Sequence, residues 1–257
     1  MKKLMTLVSV LALGAGAALA QDIRVGVSPG EHAEIMEEVA KIAEPMGLNI
    51  DVIEFSDYVV PNQALADGDI QANSFQHRPY LENQMKDRGF DLVEVGTTIN
   101  TPMGLYSNDY ASPADIPDGS TIGIPNDPTN GGRGLLVLQQ LGLIQLAEGT
   151  GLVPTVLDIT ENPKDIRIQE LDAAQLPRSL ADLDAAMINT NYAIASGLNP
   201  KTDSIAMEQN SPYVNIIVVR AGDEDQPWVK PLVEAYHSDE IKAFIETKYH
   251  GTVLTSW

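Results

Sequence analysis

Strand-like and helix-like segments alternate along the first third of this chain, and that alternation limits its fold more than any other feature. Residues 23–27 read as a short buried strand. Residues 31–46 read as a helix, with Ile35, Val39 and Ile42 on one face, and Gly47 closes it. Residues 48–55 alternate apolar and polar as a strand does. A helix over 59–67, a strand over 70–75, a helix over 79–87 and a strand over 92–98 follow. Such an order predicts an α/β layer with mostly parallel strands.

A break rich in Ser, Pro, Asp and Gly covers 110–120, and a second α/β set begins at Thr121. It holds a strand over 121–125, a helix over 134–143, strands over 166–171 and 185–188, and short helices over 175–180 and 193–197. A β-branched strand over 214–220 and two helices between 226 and 249 complete the chain. Because the second set lies between strands that suit one sheet, two lobes are expected. One would hold 21–107 plus 210–257 and the other 108–209, with crossings near 105–108 and 209–211. A body of that kind can close on a small ligand by hinge motion. One continuous sheet is the alternative.

The N-terminus carries Lys2 and Lys3, an uncharged apolar run over 4–13 and the small-residue end Ala18-Leu19-Ala20. This order marks residues 1–20 as a cleavable secretory signal peptide. The expected product is a periplasmic protein starting near Gln21. With no cysteine in the chain, it is expected to lack a lipid anchor. The formal net charge is −20, or −22 without the two N-terminal lysines. So acidic a body argues against nucleic acid and anionic membranes as partners. The missing cysteines exclude disulfides and thiolate metal sites, and the four histidines form no H-E-x-x-H pair. Neither phosphate-cradling glycine motif occurs. No cofactor and no metal are expected.

Gly26-Val27-Ser28-Pro29-Gly30 matches the G-x-S-x-G elbow of serine hydrolases and sits between a strand and a helix. That chemistry needs the backbone N–H after the serine in its oxyanion hole, and Pro29 has none. A secreted hydrolase using Ser28 is therefore a remote alternative. Pro29-Gly30 reads better as a strand-to-helix turn.

Three strand ends carry groups suited to a small polar ligand. Residues 126–133, Asn-Asp-Pro-Thr-Asn-Gly-Gly-Arg, lie between a strand and a helix. The helix start would favour an anionic group, and the planar fork of Arg133 matches a carboxylate with two parallel hydrogen bonds. A surface ion pair is the other reading of Arg133. Phe75, His77 and Tyr80 follow one strand and Tyr58 follows another, where rings line a pocket or join the core. Asn189 and Asn191 follow residues 185–188, and Asn215 interrupts an apolar strand. An amide supplies both donors and acceptors, so it can hold either end of a zwitterion or bridge the backbone.

Side by side, these segments resemble the methionine-binding proteins of bacterial ABC importers, the MetQ/NlpA family. The residues that carry the likeness are 54–58 (EFSDY), 61–65 (PNQAL), 72–77 (ANSFQH), 79–81 (PYL), 102–107 (PMGLYS), 125–130 (PNDPTN), 161–164 (ENPK), 174–180 (AQLPRSL), 188–193 (INTNYA) and 211–215 (SPYVN). The resemblance covers almost the whole chain after residue 20. It implies a two-lobed periplasmic binding protein fold of the type 2-like kind, with the ligand in the cleft and two crossover strands as hinge. It implies a binding protein, not an enzyme. That protein would work as a monomer and deliver methionine to a permease and ATPase complex in the inner membrane. D-methionine, a methionyl dipeptide or another apolar amino acid are the alternative ligands. By the same likeness Arg133 would hold the carboxylate, Asn189, Asn191 and Asn215 the polar end, and Tyr58, Phe75, His77 and Tyr80 the thioether wall. Ser74 stands where an aromatic is expected, which would loosen that wall.

Overall fold

The computed structural model describes residues 20–257, so the signal-peptide reading of 1–20 lies outside the described residues except at Ala20. Two sheets form the centres of two lobes. The first runs β1 (Gln21–Val27), β2 (Leu48–Glu54), β3 (Ala72–His77) and β4 (Leu92–Asn100), with β12 (Val214–Arg220) and β13 (Leu254–Thr255) returning from the end of the chain. The second holds β5 (Gly104–Tyr106), β6 (Thr121–Pro125), β9 (Arg167–Leu171), β10 (Ala185–Ile188) and β11 (Ser204–Met207). A small ribbon of β7 (Gln145–Leu146) and β8 (Ile159–Glu161) stands apart. Two sheets, not one, answer the question that the pattern left open.

Strand direction departs from expectation in one respect. β1 pairs in parallel with β2 and β3, but β12 lies between β3 and β4 and runs against both. The topology explains it. The chain leaves the first sheet at the end of β4 and comes back from the other lobe at that same edge. The returning strand must therefore start where β3 and β4 end. β5 runs antiparallel to β10 for the same reason. The first crossing falls between Asn100 and Gly104, just ahead of the 105–108 read from sequence, because Gly104–Tyr106 already pairs in the second sheet.

Helices cover the sheets as their apolar stripes require. In α1 (Glu31–Ala43), Ile35, Met36, Val39 and Ala43 are buried, in one cluster with Leu232, Ala235 and Tyr236 of α8 (Val229–Tyr236) and with Ile241 and Ile245 of α9 (Asp239–Tyr249). Each Ile, Leu, Val or Met among them contributes about 1.5–3 kcal/mol by leaving water. The other face carries α2 (Val60–Ala66) and α3 (Arg78–Arg88), with Leu65 and Leu81 buried against Ile216 and Val218 of β12. In the second lobe α4 (Pro128–Gln140) buries Leu135, Val137 and Leu138 against Ile122 and Ile124. The short helices α5 (Leu176–Ser179), α6 (Thr190–Ala195) and α7 (Pro200–Asp203) complete it.

The start of α4 corrects the sequence reading. The helix begins at Pro128, six residues before the expected 134, with Asp127 as N-cap accepting from the Asn130 N–H at 2.9 Å. Proline favours the first helical position and aspartate the cap. The cluster of glycines at 131, 132 and 134 masks this helix in the sequence. Gly131 and Gly132 sit there for space: a Cβ at 131 would lie 2.6 Å from the Pro125 carbonyl oxygen, and one at 132 would lie 2.9 Å from the Leu152 carbonyl oxygen.

Candidate functional site

Parallel strands in each lobe end toward the other lobe, and the residues after them meet across a cleft. Tyr58 follows β2, while Phe75 and His77 end β3, which passes directly into α3 and its Tyr80. Asn215 is the second residue of β12, opposite His77. From the other lobe come Arg133 on α4, Asn189 as N-cap of α6 and Asn191 in its first turn. The structure brings all eight residues singled out in the sequence to one chamber, together with His32, Gln76, Thr101 and Asn130. The space between them is about 320 Å³ when the solvent open to it is counted.

One wall is aromatic. The rings of Tyr58, Phe75 and Tyr80 stand 6.0–6.1 Å apart in tilted and edge-to-face pairs. The Tyr80 hydroxyl donates to the Tyr58 carbonyl at 2.8 Å, which fixes that ring. Burial raises the pKa of both phenols, Tyr58 well above the ordinary value, so they remain O–H donors.

The opposite wall is a chain of amides whose directions can be followed. The Tyr80 backbone N–H donates to His77 Nδ1 at 3.1 Å, so the ring proton sits on Nε2, 3.2 Å from Asn130 Oδ1. That oxygen also accepts from Asn189 Nδ2 at 2.9 Å, and Asn130 Nδ2 donates to the Asp127 carboxylate. A second proton on His77 would face the Tyr80 N–H. Burial, with the Arg133 charge, pushes its pKa down to about 3, so the ring is neutral at pH 7. In the chamber lining two amide atoms are buried without a partner among the described residues: Asn189 Oδ1, an acceptor, and Asn191 Nδ2, a donor. Buried polar atoms are nearly always bonded, so each is an open valence.

Arg133 is buried, but not as the sequence suggested. Its Nε lies 3.1 Å from both carboxylate oxygens of Glu208, and Nη2 bonds to Glu208 Oε2, to the Thr101 carbonyl at 2.8 Å and to Ser211 Oγ at 3.2 Å. The Tyr213 ring lies 4.4 Å from its Cζ. The pair is a buried ion pair, not a surface one, and Glu208 occupies the Nε–Nη2 edge of the fork. Nη1 is the guanidinium nitrogen without a side-chain or backbone acceptor among the described residues.

The lobes touch across the cleft. The Tyr58 hydroxyl donates to Asn191 Oδ1 at 2.6 Å, and the Tyr192 hydroxyl donates to the Ser56 carbonyl at 3.2 Å. Gly30, at φ 87°, packs against the Asn191 backbone, and a Cβ there would lie 2.4 Å from the Asn191 carbonyl oxygen. Gly30→Ala is therefore expected to hold the lobes apart. If the closed form binds ligand, methionine affinity by calorimetry should fall about tenfold or more, the equivalent of about 1.4 kcal/mol. Unchanged affinity would show that closure does not need this contact.

Several expectations change. Ser28 is fully buried and its hydroxyl has no partner among the described residues. His237 bonds to the Thr97 carbonyl and stacks on Trp257, away from any pairing with Ser28. Ser74 does not line the chamber; it lies on the side of the sheet near Tyr236, so it does not loosen the aromatic wall. Sequence reasoning missed His32, Gln76, Thr101, Asn130 and Glu208. Gln76 and Asn130 lay inside the segments already quoted, and strand-end position could have marked them. Glu208 had no local signal.

Comparison with known proteins gives this geometry a family. The model of the NlpA lipoprotein family matches residues 23–257. The D-methionine-binding lipoprotein MetQ of Escherichia coli strain K12 is 48% identical over 239 residues, covering 91% of this chain and 88% of that relative. The structure of a nutrient binding protein from Burkholderia cenocepacia bound to methionine is 53% identical, with a TM-score of 0.89, and covers 91% of this chain and 100% of that one. A crystal structure of the methionine binding protein MetQ is 48% identical, with a TM-score of 0.89, and covers 92% of this chain and 98% of that one. The two-lobed, type 2-like fold agrees with both. The names also overturn the expectation of an unanchored, freely diffusing protein. The family and the relative are lipoproteins by name, and the missing cysteine is not evidence either way on how the chain is held. The chain belongs to the NlpA lipoprotein family.

Proposed function

We propose that this protein captures methionine between its lobes and hands it unchanged to an ABC-type importer, acting as a monomer and not as an enzyme. The observation that carries the reading is the chamber itself: a buried, open donor and a buried, open acceptor share its lining with an aromatic wall. Asn189 Oδ1 takes the ammonium, while Asn191 Nδ2 and Arg133 Nη1 take the carboxylate. Asn215, at the start of β12, closes the polar end. Tyr58, Phe75, His77 and Tyr80 surround the thioether, a polarisable group that packs well against ring edges. The lobe of residues 21–100 and 214–257 closes on the lobe of 104–207, with the two crossings as hinge. The relative named for D-methionine makes that enantiomer the second ligand to test.

A thermal-shift titration tests the reading. A ligand that binds only the folded form stabilises it by about 2.7 kcal/mol at a hundredfold excess over its Kd. Methionine should raise the melting temperature, and glutamate and lysine should leave it unchanged. No shift with either enantiomer of methionine would overturn the proposal.

A further inference from the structure

We infer that Glu208 sets the charge class of the ligand: by occupying the Nε–Nη2 edge of Arg133 and cancelling its charge, it makes the cleft select zwitterions over simple anions. The inference rests on the reading above and goes beyond it to a residue outside the chamber wall. Arg133 is the one charged side chain that lines the chamber, since His32 and His77 are held neutral at pH 7. Alone, it would present a full positive charge and a two-pronged fork, a site suited to a monoanion. Glu208 alters both properties. It is 8% exposed, it bonds to Nε and Nη2, and its Oε2 also accepts from the Met103 N–H at 3.1 Å, so the carboxylate is fixed in place.

The Thr101 carbonyl and the Tyr213 face hold the guanidinium from two further directions. What remains for the ligand is the Nη1 amino group on a wall of zero net charge, beside one open acceptor and one open donor. A molecule with a carboxylate and an ammonium matches that set. A molecule with the carboxylate alone leaves Asn189 Oδ1 unbonded and finds no net attraction. Glu208 is thus a positioning residue that acts through Arg133.

Calorimetry on the full chain tests this with three ligands: methionine, the same molecule lacking its amino group, and methioninol, which lacks the carboxylate. Wild type should prefer methionine over the deaminated anion by about a hundredfold. Glu208→Gln frees a net positive charge while still accepting from Nε. Its preference for methionine over the anion should shrink by about tenfold or more. Glu208→Asp keeps the charge, so its preference should stay at the wild-type ratio even if both affinities fall. Methioninol should bind more weakly still to Glu208→Gln than to wild type. A residue that merely supported the fold would lower every affinity together, and an unchanged ratio in Glu208→Gln would overturn the inference. Wild type binding the anion as tightly as methionine would also overturn it, whichever variants fold. Wild type that binds methionine while the ratio stays fixed defeats this inference alone; no heat with methionine defeats the functional reading as well.

Discussion

Arg133→Ala is expected to abolish methionine binding and to destabilise the protein at the same time. The sequence offered Arg133 as a carboxylate fork or as a surface ion pair. The structure shows that its removal strands the Glu208 carboxylate in the interior, with side-chain exposures of 3% for Arg133 and 6% for Glu208. Breaking one member of a buried pair costs about 3–5 kcal/mol, because the remaining charge is left uncompensated. The double variant Arg133→Met, Glu208→Gln removes both charges and should recover most of that stability while still failing to bind. Urea unfolding midpoints and calorimetry on the three proteins separate the two effects. A single variant as stable as wild type would show that Glu208 finds another partner or a proton, and retained affinity would remove Arg133 from the site.

Glu31→Gln is expected to move the pH of greatest stability upward. Glu31 is fully buried in the first turn of α1, and burial pushes its carboxyl up to about 8. The sign follows from proton uptake. A group whose folded pKa exceeds its unfolded value of about 4.5 gives its full contribution below that value and loses it as pH rises toward about 8. Burial acts the other way on His32 and His77, pushed down to about 4 and about 3, so their contribution is present above about 6.5 and lost as pH falls. The wild type is thus limited by histidines on the acid side and by Glu31 on the alkaline side. Each group can contribute a slope of up to about 1.4 kcal/mol per pH unit. Glutamine cannot ionise, so the variant should gain on wild type by a few kcal/mol at pH 8 and little at pH 4.5. Melting temperatures of both proteins between pH 4.5 and 9 measure this. Parallel profiles would show that the Glu31 carboxyl is solvated in the folded state.

Much of this protein was written locally. The apolar period in α1, the alternation in β2 and the β-branched run of β12 each respond to neighbours a few residues away, so the alternating elements and the α/β class followed from sequence. Tyr58, Phe75, His77, Tyr80, Asn189 and Asn191 were visible as candidates because they sit after strands, where an α/β layer presents its loops. Element edges were less legible: the glycines at 131, 132 and 134 hid the first turns of α4, although Asp127-Pro128 carries the cap and first-turn chemistry.

Tertiary structure alone decided the remainder. β12 runs against β3 and β4 because the chain must return at the end of the sheet by which it left, a constraint on the whole path that no window of residues contains. Arg133 meets Glu208, 75 residues away, only when β11 ends beside the first crossing. The sequence determined which groups were available, since propensity and patterning are local. Which of them remain unbonded and open to a ligand was decided by the fold, because hydrogen-bond satisfaction in a buried cleft depends on what both lobes bring to it.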